Sequence, residues 1–361
     1  MSQVRIALVS TPFVAVPPPL YGGTELVVHA LCRALGRLGH DVTVFATGDS
    51  RVPRLRAWFE HAVWPPDPYA ELVHARFAAA EIADGAFDVV HAHVPAMLAF
   101  ASGLGAPLVY TLHHVADPAL ERLYAETPRA IRIAISARQA ALASPPPAAF
   151  VHHGLEPEMY PDVGRGGGTA FFLGRLSWVK APDVAVEAAR RAGLPIVVAG
   201  RWHDDAAPEG WRARVLGPAL RARDVTWLPA VDLAAKRRLF ARSRALLVPL
   251  RWEEPFGLVM IEALLAGCPV IAEPMGAAPE IVDDGETGFL ASGPRAMAKA
   301  LRRAAALDRR AIQARARVRF SALRMAQEYV GVYQRALAAA ARAAVRSGLA
   351  AGEAPWTTLA R

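Results

Sequence analysis

Two glutamates separated by seven residues, Glu254 and Glu262, flank the start of a predicted helix. If the helix begins between them, the backbone N–H groups of Phe256, Gly257 and Leu258 are free donors, and an anion binds well at such an end. Carboxylates only accept hydrogen bonds, so the pair suits a hydroxyl-rich ligand such as a ribose or a hexose. The alternative is a structural role for both glutamates, with one of them capping the helix.

Two cations follow a predicted strand in the middle of the chain. Arg175 and Lys180 come shortly after the apolar run 170–173. Because open α/β sheets bind ligands at the carboxyl ends of their strands, both side chains are placed to meet a ligand. Arg175 as a bidentate fork and Lys180 as a point charge could neutralise a diphosphate. Two solvated surface cations are an equally good interpretation of this segment alone.

A glycine pair, Gly22 and Gly23, opens the first predicted helix directly after the first predicted strand. Without Cβ atoms the backbone there can approach a ligand closely, and the free N–H groups of the helix start favour a phosphate. An ordinary turn is the alternative. No G-x-G-x-x-G pattern follows this strand, which argues against a nicotinamide enzyme.

The elements that position these residues alternate between strand and helix in both halves of the chain, which predicts parallel sheets with helices on both faces. The glycine-rich segment 161–169 predicts a hinge between two doubly wound domains, at 1–162 and 163–320. A barrel would not restart after such a hinge. Whether the helix predicted at about 321–346 packs back on the first domain is left open. The predicted strands are 4–9, 42–46, 87–91, 108–112, 132–135, 149–152, 170–173, 196–199, 225–228, 245–249 and 269–272, and the other predicted helices are 24–38, 182–192, 233–242 and 256–266.

Composition narrows the class of protein. The formal charge is +8, and three of the 41 basic residues are lysines. No compact basic block interleaved with aromatic residues is present, so a noncatalytic nucleic-acid-binding protein is a weak alternative. No apolar run of about 20 residues could span a bilayer, and the first residues lack a signal-peptide pattern. These features predict a cytoplasmic protein, and the basic charge leaves open a peripheral contact with the inner face of the membrane. Cys32 and Cys268 lie in apolar helical patterns and are expected to be small core residues.

The segment from Glu254 to Glu262 resembles the E-x7-E motif of the family-4 retaining glycosyltransferases, and the resemblance covers roughly residues 4–335. That family has the GT-B fold, in which two Rossmann-like domains face each other across a cleft. Four further segments are similar to family motifs. They are the Gly-Gly loop at 21–25, the T-x-H strand end Thr111-Leu112-His113, the turn at 153–156 and the GRLS-x-x-K segment at 174–180.

The resemblance implies a binding site for a nucleoside-diphosphate sugar, mainly on the second domain. Arg175 and Lys180 would hold the diphosphate, Glu254 the transferred sugar, and Glu262 the ribose. His113 would lie near the sugar from the first domain. The donor-binding residues so implied are Gly22, Gly23, Arg175, Lys180, Glu254, Phe256, Gly257, Leu258 and Glu262, and the catalytic ones are His113, Glu254, Arg175 and Lys180.

The family transfers sugar with retention and without a metal, so we expect a metal-independent, retaining hexosyltransferase without a cofactor. Loops of the first domain would hold a sugar, lipid or small-molecule acceptor. His91 and His93 face the same side of a strand, but we expect no metal there. His114 is the alternative to His113 for the histidine near the sugar, and the spacing from Thr111 favours His113.

Three departures from the family pattern are visible. Ala181 replaces the glycine that usually follows the motif lysine, Ala277-Ala278 replaces a pair that usually contains glycine, and His153 replaces an asparagine. None removes a charged residue of the expected site. A sugar-nucleotide epimerase or a phosphorylase-like enzyme of the same fold is the main alternative. The sequence predicts neither the base and sugar of the donor, nor the acceptor, nor the oligomeric state.

Overall fold

The computed structural model describes residues 3–352 except Tyr21, Ala116, Asp162 and Asp204. Seven parallel strands build the first sheet in the order β3-β2-β1-β4-β5-β6-β7. The order reverses beside β1, and such a switch point opens a crevice at the carboxyl ends of the strands. The strands are β1 (Arg5–Val9), β2 (Asp41–Phe45), β3 (Leu55–Arg56), β4 (Val89–Ala92), β5 (Leu108–Thr111), β6 (Ile131–Ala134) and β7 (Ala149–Phe150).

Helices cover both faces of this sheet. One face packs against the apolar stripe of α1, whose Val27, Leu31 and Leu35 are fully buried, and the other packs against α2. Asp67 and Asp117 cap the starts of α2 and α3 by accepting backbone N–H groups. The helices are α1 (Gly23–Arg37), α2 (Pro68–Asp84), α3 (Pro118–Glu126) and α4 (Ala137–Leu142), with 3₁₀ helices at Pro95–Gly103 and Pro157–Met159.

Six parallel strands build the second sheet in the order β10-β9-β8-β11-β12-β13, which reverses in the same way beside β8. Its apolar clusters lie on both faces. The strands are β8 (Thr169–Leu173), β9 (Ile196–Ala199), β10 (Val225–Leu228), β11 (Ser243–Val248), β12 (Val270–Ala272) and β13 (Gly288–Leu290). The helices are α5 (Pro182–Ala192), α6 (Gly217–Leu220), α7 (Leu233–Arg242), α8 (Leu258–Leu265), α9 (Ala278–Ile281), α10 (Gly293–Arg303) and α11 (Arg309–Arg319), with a π-helix at Trp211–Leu216 and a 3₁₀ helix at Ala304–Ala306.

The last helix, α12 (Ala322–Gly352), leaves the second sheet and packs on the first. Met325, Tyr329 and Tyr333 are fully buried in the apolar cluster that α1 also occupies. The helix therefore does pack back on the first sheet, and it ties the end of the chain to the beginning.

Two parallel sheets with helices on both faces confirm the predicted architecture. The domain bounds 1–162 and 163–320 stay a prediction, and Asp162 lies outside the described residues. Cys32 and Cys268 are buried and free, in agreement with the expectation. No helix in the described part of the chain is long and apolar enough to cross a membrane.

Candidate functional site

The first helix of one half touches the E-x7-E segment of the other. A Cβ atom built on Gly23 would lie 3.2 Å from Leu258 Cδ1. Gly23 opens α1 after β1, and Leu258 opens α8 after β11, so the loops at the carboxyl ends of β1 and β11 lead to the same contact. The glycine loop and the E-x7-E segment, predicted separately, are thus brought together.

Glu254 is 8% exposed, and its carboxylate is held on one oxygen. Oε2 accepts from Lys180 Nζ and, at 2.8 Å, from Trp252 Nε1. Its backbone carbonyl accepts from the amide of Ala277 at 2.9 Å. The chain passes so close at Gly276 (φ 61°) that a Cβ there would lie 2.3 Å from the nitrogen of Glu254. The geometry therefore requires glycine at 276 and tolerates alanine at the next position.

Helix α8 begins at Leu258, and the prediction of a start at Phe256 is wrong by two residues. Gly257 adopts the left-handed conformation (φ 83°), which ends any helical path from Phe256. No side chain caps this helix, so the structure does not support the alternative in which Glu254 is a cap. Glu262 consequently lies about one turn into the helix. Phe256 is buried before the helix starts.

Glu262 is 5% exposed and is also held on one oxygen. Oε1 accepts from Tyr160 Oη at 2.6 Å and from Lys236 Nζ at 2.8 Å. Sequence reasoning missed both partners. Lys236 carried one usable signal, since lysine is rare in this arginine-rich chain.

Arg175 and Lys180 lie on the loop after β8, as the sequence predicted. The guanidinium of Arg175 is half-buried and donates to His203 Nε2 at 3.0 Å. Lys180 also lies over the ring of Trp252, 5.1 Å from its centroid. Neither residue is a solvated surface cation. Ala181, the next residue, has a left-handed backbone (φ 50°), which explains the glycine that usually stands there.

On the first sheet, Glu25 fills the space beneath the glycine pair. A Cβ on Gly22 would lie 2.8 Å from Glu25 Oε2, and the hydroxyl of Thr11 donates to Glu25 Oε1. Burial raises the pKa of the Glu25 carboxyl above its ordinary value, and the hydrogen bond from Thr11 opposes that shift. Gly22 is thus constrained by packing inside the first domain, while Gly23 faces the second.

Four histidines line the first sheet beside this contact. His113 Nε2 lies 2.7 Å from His93 Nδ1, and the ring of His113 stacks on that of His153 with centroids 5.2 Å apart. His153 contacts Phe256 edge to face at 5.1 Å, which links His113 to the E-x7-E segment. His91 is hydrogen-bonded to Tyr333 at 2.7 Å and to Thr111 at 2.8 Å. His114 is exposed, whereas His113 is partly buried in this row.

Burial keeps these rings neutral. It lowers the pKa of His91 and of His153 to about 3, and the pKa of His113 and of His93 well below the ordinary value. Repulsion between neighbouring rings when they are protonated adds to the shift, and Arg324 adds to that of His153. His113 is therefore a neutral hydrogen-bonding group at pH 7. Within the described residues, no group of three or more His, Cys, Asp or Glu side chains is placed to hold a metal ion.

Glu280 on α9 holds the two halves together. Its carboxylate accepts from the amides of Ala137 and Arg138 at 2.8 and 2.7 Å, and from His152 Nε2 at 2.8 Å. Arg138 in turn donates to Glu253 at 3.0 and 2.8 Å. Glu280 and Glu253 of the second half thus bind the start of α4 in the first half.

Two family models match the chain. Residues 21–144 match the model described as Glycosyltransferase Family 4, and residues 167–306 match the one described as Glycosyl transferases group 1. The D-inositol 3-phosphate glycosyltransferases of Mycobacterium tuberculosis and Mycobacterium bovis are 38% identical to it over 125 residues, or 34% of this chain. The match spans only 26% of the length of these curated relatives.

Solved structures resemble most of the chain in fold. AviGT4, a glycosyltransferase involved in avilamycin A biosynthesis, has a TM-score of 0.70 and 24% identity, covering 93% of this chain and 98% of its own. Sucrose-phosphate synthase of Thermosynechococcus elongatus has a TM-score of 0.74 and 20% identity, covering 94% and 100%. Anabaena HepE, solved in complex with UDP and glucose, has a TM-score of 0.69 and 19% identity, and the match covers 92% of this chain and 100% of HepE. This likeness concerns the fold, and it confirms the predicted GT-B architecture.

Proposed function

Since the chain belongs to the family-4 glycosyltransferases of the GT-B fold, we propose that it transfers a sugar from a nucleoside-diphosphate sugar to an acceptor hydroxyl. The observation that carries this proposal is the cluster of Lys180, Glu254 and Glu262 opposite Gly23. A cation, acceptor-only carboxylates and the amides at the start of α8 are there combined in one place, which suits a ligand with a diphosphate and many hydroxyls.

In the proposed reaction the bond between the anomeric carbon and the diphosphate breaks, and the electron pair stays on the departing phosphate oxygen. Arg175 and Lys180 stabilise that negative charge. Lys180 has three N–H donors and shares them between Glu254 and the diphosphate. Because protein cations balance the charge, the reaction needs no metal and no cofactor. The acceptor oxygen forms the new bond to the anomeric carbon with retention, as in the family that the motifs resemble, and the acceptor proton leaves with the released nucleoside diphosphate.

The two carboxylates contact different parts of the donor. Glu254 accepts hydroxyls of the transferred sugar and favours the positive charge that develops on its ring. Glu262 accepts hydroxyls of the ribose. The neutral imidazole of His113, held by His93, offers a hydrogen bond to the sugar from the first domain.

The acceptor is proposed to bind on loops of the first domain, at 12–20 and 58–69. Trp58, Trp64 and Tyr69 are at least half exposed there and offer aromatic surface for a sugar, a lipid or a small aglycone. HepE was solved with UDP and glucose, which makes UDP-glucose the first donor to test.

Two measurements test the proposed function. A thermal-shift screen against UDP-, GDP- and ADP-sugars should show a stabilising donor, since a ligand at 100 times its Kd stabilises by about 2.7 kcal/mol. A labelled donor should then release its nucleoside diphosphate and pass its sugar to an acceptor. An epimerised donor, or salt-dependent DNA binding without turnover, would instead support one of the alternatives.

Variants of the two cations extend the test. Arg175→Ala and Lys180→Ala should each reduce kcat by roughly 10²–10³, the effect of losing one preorganised charge. Lys299→Ala, a change at an exposed lysine on α10, is the matched control and should keep full turnover. Folded Arg175 and Lys180 variants with normal turnover would remove these residues from the site.

A further inference from the structure

The three lysines of the chain divide into two kinds. Lys180 and Lys236 are mostly buried, with 20% and 14% of the side chain exposed, and each forms an ion pair with one glutamate of the E-x7-E pair. Lys299 is exposed on α10. Every other basic residue is an arginine, so lysine stands at the two positions that contact these carboxylates.

Both glutamates are held in the same manner. In each, one carboxylate oxygen accepts from a lysine and from an aromatic donor. For Glu254 the donors are Lys180 and Trp252, and for Glu262 they are Lys236 and Tyr160. In the described part of the chain, no hydrogen bond to the second oxygen of either carboxylate is found.

The partners of Glu262 come from separate elements and are themselves fixed. Tyr160, 1% exposed, follows the 3₁₀ helix Pro157–Met159, packs its ring on Phe240 at 6.2 Å and accepts a hydrogen bond on its carbonyl from Gln313 at 3.0 Å. Lys236 lies on α7, and Glu262 lies on α8. Two donors on Oε1 use up the usual capacity of that oxygen.

We propose that Tyr160 and Lys236 are positioning residues that lock Oε1 of Glu262 and leave Oε2 as the oxygen that receives a ribose hydroxyl of the donor. The inference rests on the proposed function, because it names what prepares the ribose side of that site. A carboxylate held by two donors loses no side-chain freedom when the nucleotide binds, which favours binding.

The identity of residue 236 follows from the same geometry. An ammonium is a point charge and can bind one oxygen of a carboxylate. A guanidinium is a planar fork that prefers to bind both oxygens at once. Arginine at 236 would keep the charge and the ion pair but would occupy Oε2, so Lys236→Arg should lose ribose binding while keeping the structural contact.

Binding of nucleotides with and without ribose hydroxyls tests the proposal. Calorimetry would compare UDP, GDP and ADP with their 2′,3′-dideoxy forms on the full chain and on Tyr160→Phe, Lys236→Arg, Glu262→Gln and the control Lys299→Arg. The unchanged protein and the control should prefer the ribose form. Each of the other three variants should lose about tenfold in affinity for that form and bind the dideoxy form as before. The double variant Tyr160→Phe with Glu262→Gln should be no weaker than Glu262→Gln alone.

The outcomes separate this inference from the proposed function. Equal weakening of both forms, or a Lys236→Arg protein with unchanged ribose preference, would show a purely structural ion pair and overturn the inference. Binding of both forms with equal affinity by the unchanged protein would also overturn it, yet would leave the donor site intact. No nucleoside-diphosphate binding at all would reject both. Where turnover is measured, the variants should raise the donor KM and leave kcat unchanged.

Discussion

Lys180 is paired with Glu254 in this structure, and this pairing changes the charge that its neighbours present. Its ammonium neutralises Glu254, so the net charge of the pair is zero, while Arg175 is hydrogen-bonded to His203 and forms no ion pair with a carboxylate among the described residues. Arg175 would therefore offer its full positive charge to the diphosphate, whereas Lys180 would share its charge between Glu254 and the diphosphate. Replacing Glu254 by an uncharged isostere frees Lys180. Replacing Glu262 frees Lys236 instead and changes neither Arg175 nor Lys180.

Substitutions of the two glutamates should therefore change different kinetic constants. Glu254→Gln should lower kcat on the order of 10², because the developing positive charge on the sugar loses a carboxylate, while the donor KM changes little because Lys180 is released. Glu262→Gln should mainly raise the donor KM, since ribose is bound alike in the ground and transition states. Initial rates and melting curves of both variants measure this. Equal KM effects with unchanged kcat would contradict the division of roles, and lost stability with intact kinetics would contradict the site.

Chelation tests how the charge of the diphosphate is balanced. If Arg175 and Lys180 supply the balancing charge, EDTA should leave most of the turnover intact. The measurement is turnover of the labelled donor with EDTA, before and after adding Mg²⁺ or Mn²⁺. Complete loss that either ion restores would mean that a metal, not the two side chains, carries the charge.

Elements with strong end signals could be predicted to the residue. Helix α5 has the predicted bounds because Pro182 opens it and Gly193, in the left-handed conformation, ends it. Helix α7 likewise starts behind the cap Asp232. The start of helix α8 was predicted two residues too early, because the sequence does not show that Gly257 adopts a positive φ. The strands β3 and β13, of two and three residues, were missed, whereas the equally short β7 and β12 were predicted.

The charged residues of the site could be predicted because motifs mark them, but their partners could not. Tyr160 and Glu262 are 102 positions apart, and Lys180 and Glu254 are 74 apart. Only the packing of several elements brings such groups together, and no local pattern records it. His153 was noticed only as a departure from a motif, and its link between His113 and Phe256 is a property of the folded chain.

Helix α5 offers a test of backbone strain beside the site. Ala181 is fully buried with φ 50°, a conformation that costs a residue with a Cβ roughly 1–2 kcal/mol. In Ala181→Gly the relief offsets the lost methyl group and the added freedom of the unfolded chain, so the free energy of unfolding should change by less than about 1 kcal/mol. Ala185→Gly, equally buried but helical, should lose about 2 kcal/mol. Denaturant unfolding measures the free energy of unfolding of both variants. An equal loss of stability in the two would show that the backbone at Ala181 is not strained.

Considered as a whole, the described part of the molecule has its buried histidines in the first half. His74, His91, His93, His113 and His153 all have a pKa lowered chiefly by burial, to about 4 for His74 and about 3 for His91 and His153. Two of them join the sheet to other parts of the chain, since His91 is hydrogen-bonded to Tyr333 on α12 and His153 contacts Phe256 of the second half. The contacts that assemble the site are therefore also contacts that disfavour protonation.

This arrangement predicts a stability that falls on mild acidification. Between pH 6.5, the ordinary histidine pKa, and the lowered values, the unfolded chain binds protons that the folded chain excludes. Stability should thus be level above about pH 7 and should decline as the pH falls below 6.5. Each such histidine contributes up to about 1.4 kcal/mol per pH unit. The window from pH 6.5 to 5 reports mainly on the histidines, because ordinary carboxylates titrate below it, and the raised pKa of the buried Glu25 and Glu71 carboxyls acts on stability in the opposite direction.

His153→Asn gives this prediction its sharpest form, because asparagine is the residue that the family motif usually has there and it does not titrate. The variant should show a stability that declines less steeply, by up to about 1.4 kcal/mol per pH unit, between pH 6.5 and 5. The control His61→Asn changes an exposed histidine and should keep the slope of the unchanged protein. Denaturant unfolding at pH 7.5, 6.5, 5.8 and 5 measures the slopes. A level stability across this range, or equal slopes in all three proteins, would mean that His153 accepts a proton without unfolding and that the row of histidines can carry charge in the folded site.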